Sequence, residues 1–134
     1  MISLQNIAIR IITFSDFLSS TNHHYSSLKI LNLRNHQVEL QNCLLVHSQL
    51  NNTIPLPLKD MFTLKKDIHI HETRNQLLLA HKHYRTSRYG LNSIQSRCIR
   101  SWNKVINLEI LNETEWPLSR YCMKKKMKTH LLND

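Results

Sequence analysis

A chain of 134 residues with a formal net charge of +9 is one domain or two small lobes at most, and its charge draws it toward polyanions. Its 41% hydrophobic residues are enough to bury a core, yet no apolar run reaches the roughly eighteen residues that a membrane-crossing helix needs. The single glycine, Gly90, rules out every phosphate-cradling GxxxxGK[ST] or GxGxxG loop, and it favours helices joined by Asn/Ser loops over a many-turned β fold.

At the N-terminus, Leu4, Ile7, Ala8, Ile11, Phe14 and Leu18 recur at three- and four-residue spacing, which predicts a helix with this stripe as its buried face and Arg10 at its edge. Gln5, Asn6 and Arg10 in its middle distinguish it from a signal peptide. Ser19 to Asn22 stop it by competing for backbone hydrogen bonds. Tyr25, Leu28 and Leu31 predict a short second helix. A third is expected over 36–50, capped by Asn32 or Asn35, with Val38, Leu40, Leu44 and Leu45 inward. Asn51-Asn52-Thr53 before Pro55 and Pro57 is the clearest break in the chain. One helical turn is expected over 58–64, and 68–71 and 77–79 read as extended segments able to form a short β pairing. The next helix is predicted over 93–105, with Asn92 as N-cap and Leu91, Ile94, Cys98, Trp102 and Val105 as its apolar stripe. Arg97, Arg100 and Lys104 fall on its far side. A final helix over 118–132 carries the lysine-rich tail, Lys124 to Lys126 and Lys128, which reads as a solvated face, a phosphate contact or an import signal. The expected fold is therefore mainly α: a three-helix lobe over 1–55, a linker over 56–67, and a basic, mostly helical lobe over 68–134.

Charge is unevenly spread. Residues 1–67 hold six Lys/Arg against four Asp/Glu, whereas residues 68–134 hold twelve against five. Between Glu72 and Glu109 there is no acidic residue, while Arg74, Lys82, Arg85, Arg88, Arg97, Arg100 and Lys104 are all positive. Such a surface suits nucleic acid or an anionic membrane surface, with a solvated basic face as the plainer alternative.

Several runs resemble one family in order. Leu4-Gln5-Asn6-Ile7-Ala8-Ile9-Arg10-Ile11-Ile12, Tyr25-Ser26-Ser27-Leu28-Lys29-Ile30-Leu31-Asn32-Leu33 and Leu40-Gln41-Asn42-Cys43 come first. Ile68-His69-Ile70-His71-Glu72-Thr73-Arg74, Tyr89-Gly90-Leu91-Asn92-Ser93-Ile94-Gln95 and Trp102-Asn103 follow. Together these resemble the segment downstream of the polymerase core in LINE-type (non-LTR) retrotransposon reverse transcriptases, which are RNA-directed DNA polymerases. His71 stands where that family usually has Tyr, and the likeness covers about residues 4–105. The resemblance implies a thumb and post-thumb piece, intracellular (nuclear or cytoplasmic), that holds an RNA template and its primed DNA strand beside the palm domain. It implies phosphate contacts from Arg10, Lys29, Arg74, Lys82, Arg85, Arg88, Arg97, Arg100 and Lys104, with no membrane partner. Polymerisation needs adjacent carboxylates for two metal ions. The four aspartates, Asp16, Asp60, Asp67 and Asp134, are never adjacent, so the chain is not expected to be an enzyme alone. The alternative is a relic or co-opted transposon-derived small helical protein, inactive or serving a protein partner.

Other chemistry is less well supported by the sequence. His69/His71 and His81/His83 form HxH pairs near Asp67 and Glu72, but nine histidines in one chain make such pairs common by accident, and no metal or other cofactor is expected. Cys43, Cys98 and Cys122 are too widely spaced for a zinc knuckle and read as reduced thiols. Trp102, on the apolar stripe, reads as a core anchor whose indole N–H finds a partner. Tyr84 and Tyr89, among Lys82, Arg85 and Arg88, are the better base-stacking candidates.

Overall fold

The computed structural model describes residues 2–33, 36–68, 75–86, 90–111 and 116–133. It is mainly helical: α1 (Ile2–Thr13), α2 (Asn22–Ser27), α3 (His36–Leu50), α4 (Ile94–Asn107) and α5 (Arg120–Asn133). Asn35 lies outside the described residues. The start of α3 is held by the Asn32 carbonyl, which accepts from the His36 and Gln37 amides at 3.1 and 3.0 Å. α4 is capped one residue later than predicted. Ser93, not Asn92, accepts the Ser96 amide at 3.2 Å.

α3 packs on α4 and α5. Leu40, Cys43, Leu44 and Val46 of α3 join Cys98, Ile99, Trp102, Val105 and Ile106 of α4 and Met123, Met127 and Leu131 of α5 in one buried cluster. The four-residue steps of Met123, Met127 and Leu131 put all three on the inner face of α5, which leaves Lys124, Lys125 and Lys128 exposed. Trp102 has no accessible surface, and its indole N–H donates to the Leu77 carbonyl at 2.8 Å. Trp116 meets its ring edge-on, with centroids 6.0 Å apart. On α4, however, Leu91 and Ile94 stay exposed while Ile99 and Ile106 are buried. The inward stripe is rotated from the predicted one because Trp102 and Asn103 both turn toward the 77–79 segment.

The core draws on both sides of the expected 56–67 linker, which itself delivers Phe62 into the cluster. Amide side chains fasten the irregular segments. Gln49 brackets Phe62, donating to its carbonyl at 2.7 Å and accepting its amide at 3.0 Å. Asn103 does the same to Leu79, accepting its amide and donating to its carbonyl, both at 2.9 Å. Gln5 donates to the Leu31 carbonyl and accepts the Leu33 amide, both at 3.0 Å. Each pair supplies a donor and an acceptor to backbone that no strand satisfies, and buried backbone groups need such partners. The one β feature among the described residues is an antiparallel bridge between Leu64 and Leu79. The 77–79 segment thus meets the 63–65 segment; residues 69–74 of the histidine-containing run lie outside the described residues. The predicted turn over 58–64 is replaced by two short 3-10 turns, Leu56–Leu58 and Lys65–Asp67.

With a single glycine in the chain, left-handed residues would be expected to be few, yet the helix ends use them. α1 to α4 each end on a residue in the left-handed region: Phe14, Lys29, Asn52 and Glu109, with φ of 51, 53, 55 and 56°. In each case the next amide returns to a carbonyl five residues back: Ser15 to Arg10, Ile30 to Tyr25, Thr53 to Ser48 and Ile110 to Val105. This closure satisfies the orphan carbonyls of a helix end and normally uses glycine. Only Asn52 is a residue type that tolerates it easily. Gly90 is used elsewhere: a Cβ there would overlap the side chain of Tyr84.

The predicted buried face of α1 is the exposed one. Leu4, Ile7, Ala8, Ile11 and Ile12 point outward, followed past the helix end by Phe14 at 97% and Leu18 at 93% exposure. The opposite side, Gln5, Asn6, Ile9, Arg10 and Thr13, faces the rest of the protein. Ile9 is buried, Asn6 accepts from the Tyr25 hydroxyl at 2.5 Å, and Arg10 donates twice to the Ser19 carbonyl. Periodicity located the two faces of this helix but not which one turns inward, because hydrogen bonds fix its orientation.

Candidate nucleic-acid interface

α4 turns Cys98, Ile99 and Trp102 into the core, so positions three and four residues apart on its other side reach solvent together. Arg97, Arg100 and Lys104 are exposed there. With Ser101 of the same helix and Val38, Glu39 and Asn42 of α3, they line an open groove of about 350 Å³. Their engagements differ. Lys104 Nζ lies 3.2 Å from Glu39 Oε1. Arg100 donates through Nη2 to the Leu91 carbonyl at 2.7 Å, which leaves the rest of its guanidinium fork for another acceptor. The Arg97 guanidinium makes no hydrogen bond or ion pair with another described residue. An exposed pair such as Lys104 with Glu39 contributes about 1 kcal/mol or less and yields readily to a competing anion.

Two hydrogen bonds link side chains of α3 and α4 at the groove. Asn42 Nδ2 donates to Ser101 Oγ at 3.3 Å, and the Cys98 thiol donates to Asn42 Oδ1 at 3.6 Å. Ser101, Asn42 and Glu39 were not legible as site residues. Their proximity depends on how α3 packs across α4, and the spacing of either helix alone does not encode it.

Of the other predicted contacts, those among the described residues do not gather there. Arg10 is held on α1 by Ser19 and lies 5.7 Å from the Phe17 ring centroid. Lys29 is the left-handed residue closing α2, a helix that packs on α1 and α5. Lys82 and Arg85 are exposed in the irregular segment before α4. Arg74 and Arg88 lie outside the described residues. Tyr84 is half-buried and donates to Gln95 Oε1 at 3.0 Å, while Gln95 in turn donates to the Met61 carbonyl. That makes Tyr84 a packing residue rather than a free stacking platform; Tyr89 is outside the described residues. Trp102 and Asn103, the family-like pair, serve the architecture.

His81 and His83 are exposed, and among the described residues no group of three His, Cys, Asp or Glu could hold a metal ion. His69 and His71 are outside that set. Burial pushes the Cys43 thiol well above its ordinary range, helped by Glu39 and Cys98. Burial likewise pushes Cys98 up to about 11, against the opposing pull of Arg97. Both thiols are protonated at neutral pH and are poor nucleophiles. No helix among the described residues is long and apolar enough to cross a membrane.

Among known protein families, curated proteins and solved structures, none matches this chain.

Proposed function

We propose that this chain is a nucleic-acid-contacting segment of the thumb and post-thumb type found in LINE-type reverse transcriptases, binding a primer–template duplex through its phosphates. The observation that carries this reading is the grouping of Arg97, Arg100 and Lys104 on the solvent side of α4, beside a groove in which Glu39 is the one carboxylate among the described residues. Phosphate neutralisation needs only positive charge at helical spacing on an exposed surface, and it releases counterions whatever the base sequence. Binding rather than catalysis is proposed, since the sequence has no adjacent aspartates. The test is binding of the whole chain to an RNA–DNA hybrid, compared with Arg97→Ala/Arg100→Ala/Lys104→Ala. Weaker binding by the variant supports the reading; equal binding removes it.

A second reading, a small helical protein that serves a protein partner, is favoured by α1. Its outward apolar residues, Leu4, Ile7, Ile11, Ile12 and Phe14, are exposed along one side of the helix, and grouped exposed apolar side chains mark interaction sites. The two readings converge if that partner is a polymerase palm. Substituting Ile11 and Phe14 by Ser would abolish capture of the palm without changing hybrid affinity; retained capture would exclude α1 as the contact.

A further inference from the structure

We propose that the α3–α4 groove is a seat for a single phosphate group, in which Ser101 is the neutral donor and Arg97 and Lys104 supply the charge. The proposal rests on the phosphate-contacting reading above and adds to it a discrete site with one hydroxyl at its centre.

A serine inside a helix commonly returns its hydroxyl to the carbonyl four residues back, as Ser48 does to Leu44 at 2.9 Å in α3. Ser101 has no such bond among the described residues. Its Oγ instead accepts from Asn42 Nδ2 at 3.3 Å. Asn42 is in turn oriented by the Cys98 thiol, which donates to its Oδ1 at 3.6 Å, so the amide presents its N–H side to Ser101. With one lone pair of Ser101 occupied, its own O–H remains available for an acceptor in the groove.

Around that hydroxyl the lining is suited to an oxyanion. Arg97 and Lys104 stand one helical turn before and one after the neighbourhood of Ser101 and line the same groove. Arg97 has no protein acceptor for its guanidinium among the described residues, and Arg100 has spare donors beyond its bond to Leu91. Glu39 holds Lys104 at 3.2 Å, which keeps the ammonium at the groove while leaving part of its hydration to be exchanged for a phosphate oxygen. A fixed fork, an ammonium and a neutral hydroxyl together match the several acceptor oxygens of a phosphate better than a row of charges does.

The shared chemistry is a phosphate oxyanion, and two sources supply it: a backbone diester, or a free or terminal phosphate. The experiment is a titration of the full, isotope-labelled chain, each run at constant ionic strength and the hybrid arm repeated at several salt concentrations, read at the Asn42 side-chain amide and the backbone amide of residue 101. One arm uses inorganic phosphate; the other uses an RNA–DNA hybrid with hydroxyl ends. Ser101→Ala is the central variant, because alanine suits a helix interior and the fold survives the change. Saturable shifts with phosphate, weakened about tenfold by Ser101→Ala, are expected. Arg97→Gln weakens both arms and flattens the salt dependence of the hybrid, whereas Ser101→Ala weakens hybrid binding with the salt slope unchanged, as a neutral donor must. If Ser101→Ala weakens phosphate alone, the seat stands and the duplex reading falls. Absence of saturable shifts with phosphate, or equal affinity of wild type and Ser101→Ala in both arms, overturns the proposal.

Discussion

Glu109 closes α4 with a φ of 56°, in a chain whose one glycine is placed elsewhere. The left-handed conformation brings Cβ against the following carbonyl and costs an L-residue roughly 1–2 kcal/mol. Glycine removes that contact but adds about 0.4–1 kcal/mol of unfolded-state entropy, so Glu109→Gly should gain about 0.5–1 kcal/mol net from the backbone. A second contribution has the same sign: the carboxylate sits at the negative end of the α4 dipole, worth about 0.3–1 kcal/mol at an exposed site. Glu109→Ala separates the two, because it removes the charge and keeps Cβ. Urea unfolding monitored by circular dichroism should place Glu109→Gly above Glu109→Ala, and Ala at or slightly above wild type. The midpoint should move without a change in slope. A Glu109→Gly protein no more stable than Glu109→Ala would refute the claim that the helix ends store backbone strain.

The remaining predictions concern the framework around the groove. Asn103→Ala strips the partners from the buried amide and carbonyl of Leu79; at roughly 1–3 kcal/mol for each buried group left unpaired, less a small helix-propensity gain, the loss should be about 2–4 kcal/mol in urea unfolding. A loss below about 1 kcal/mol would mean that Asn103 is not an architectural residue. Native protein should react with a thiol reagent at Cys122 alone, with Cys43 and Cys98 modified only after unfolding. Because the folded state raises both buried thiol pKa values, the unfolded chain ionises first as pH rises. Stability is therefore full below the unfolded thiol pKa and falls as pH climbs from about 9 toward 11, by about 1.4 kcal/mol per pH unit per ionising thiol. A thiol-dependent rise in stability between about pH 9 and 11, or a fall that persists unchanged in the Cys43→Ala/Cys98→Ala variant, would contradict this sign.

Helices were the legible part of this chain. The third was predicted over 36–50 and found as His36–Leu50, with Leu40 and Leu44 buried as expected but Val38 exposed. Trp102 was legible as a core anchor: an indole on an apolar stripe has few other places to go. What periodicity did not reveal was the inward face of α1, where Gln5, Asn6 and Arg10 outcompete a run of isoleucines by reaching specific backbone and side-chain partners. Nor did it reveal the partner of the 77–79 segment. That choice is made by Asn103 and by Lys65, whose amide donates to the Leu78 carbonyl at 2.8 Å, contacts between residues distant in sequence. The cationic positions of α4 were readable from spacing alone. The neutral groups beside them, Ser101 and Asn42, arise only where two helices meet.

The most direct test of a phosphate-contacting face is the salt dependence of binding to an RNA–DNA hybrid. Each phosphate that is no longer neutralised takes about 0.9 from the slope of log affinity against log salt, so Arg97→Ala/Arg100→Ala/Lys104→Ala should flatten it by roughly two to three while α4 keeps its helix signal. An unchanged slope and affinity in that variant would contradict the account, and would leave the α4 face as a solvated basic surface.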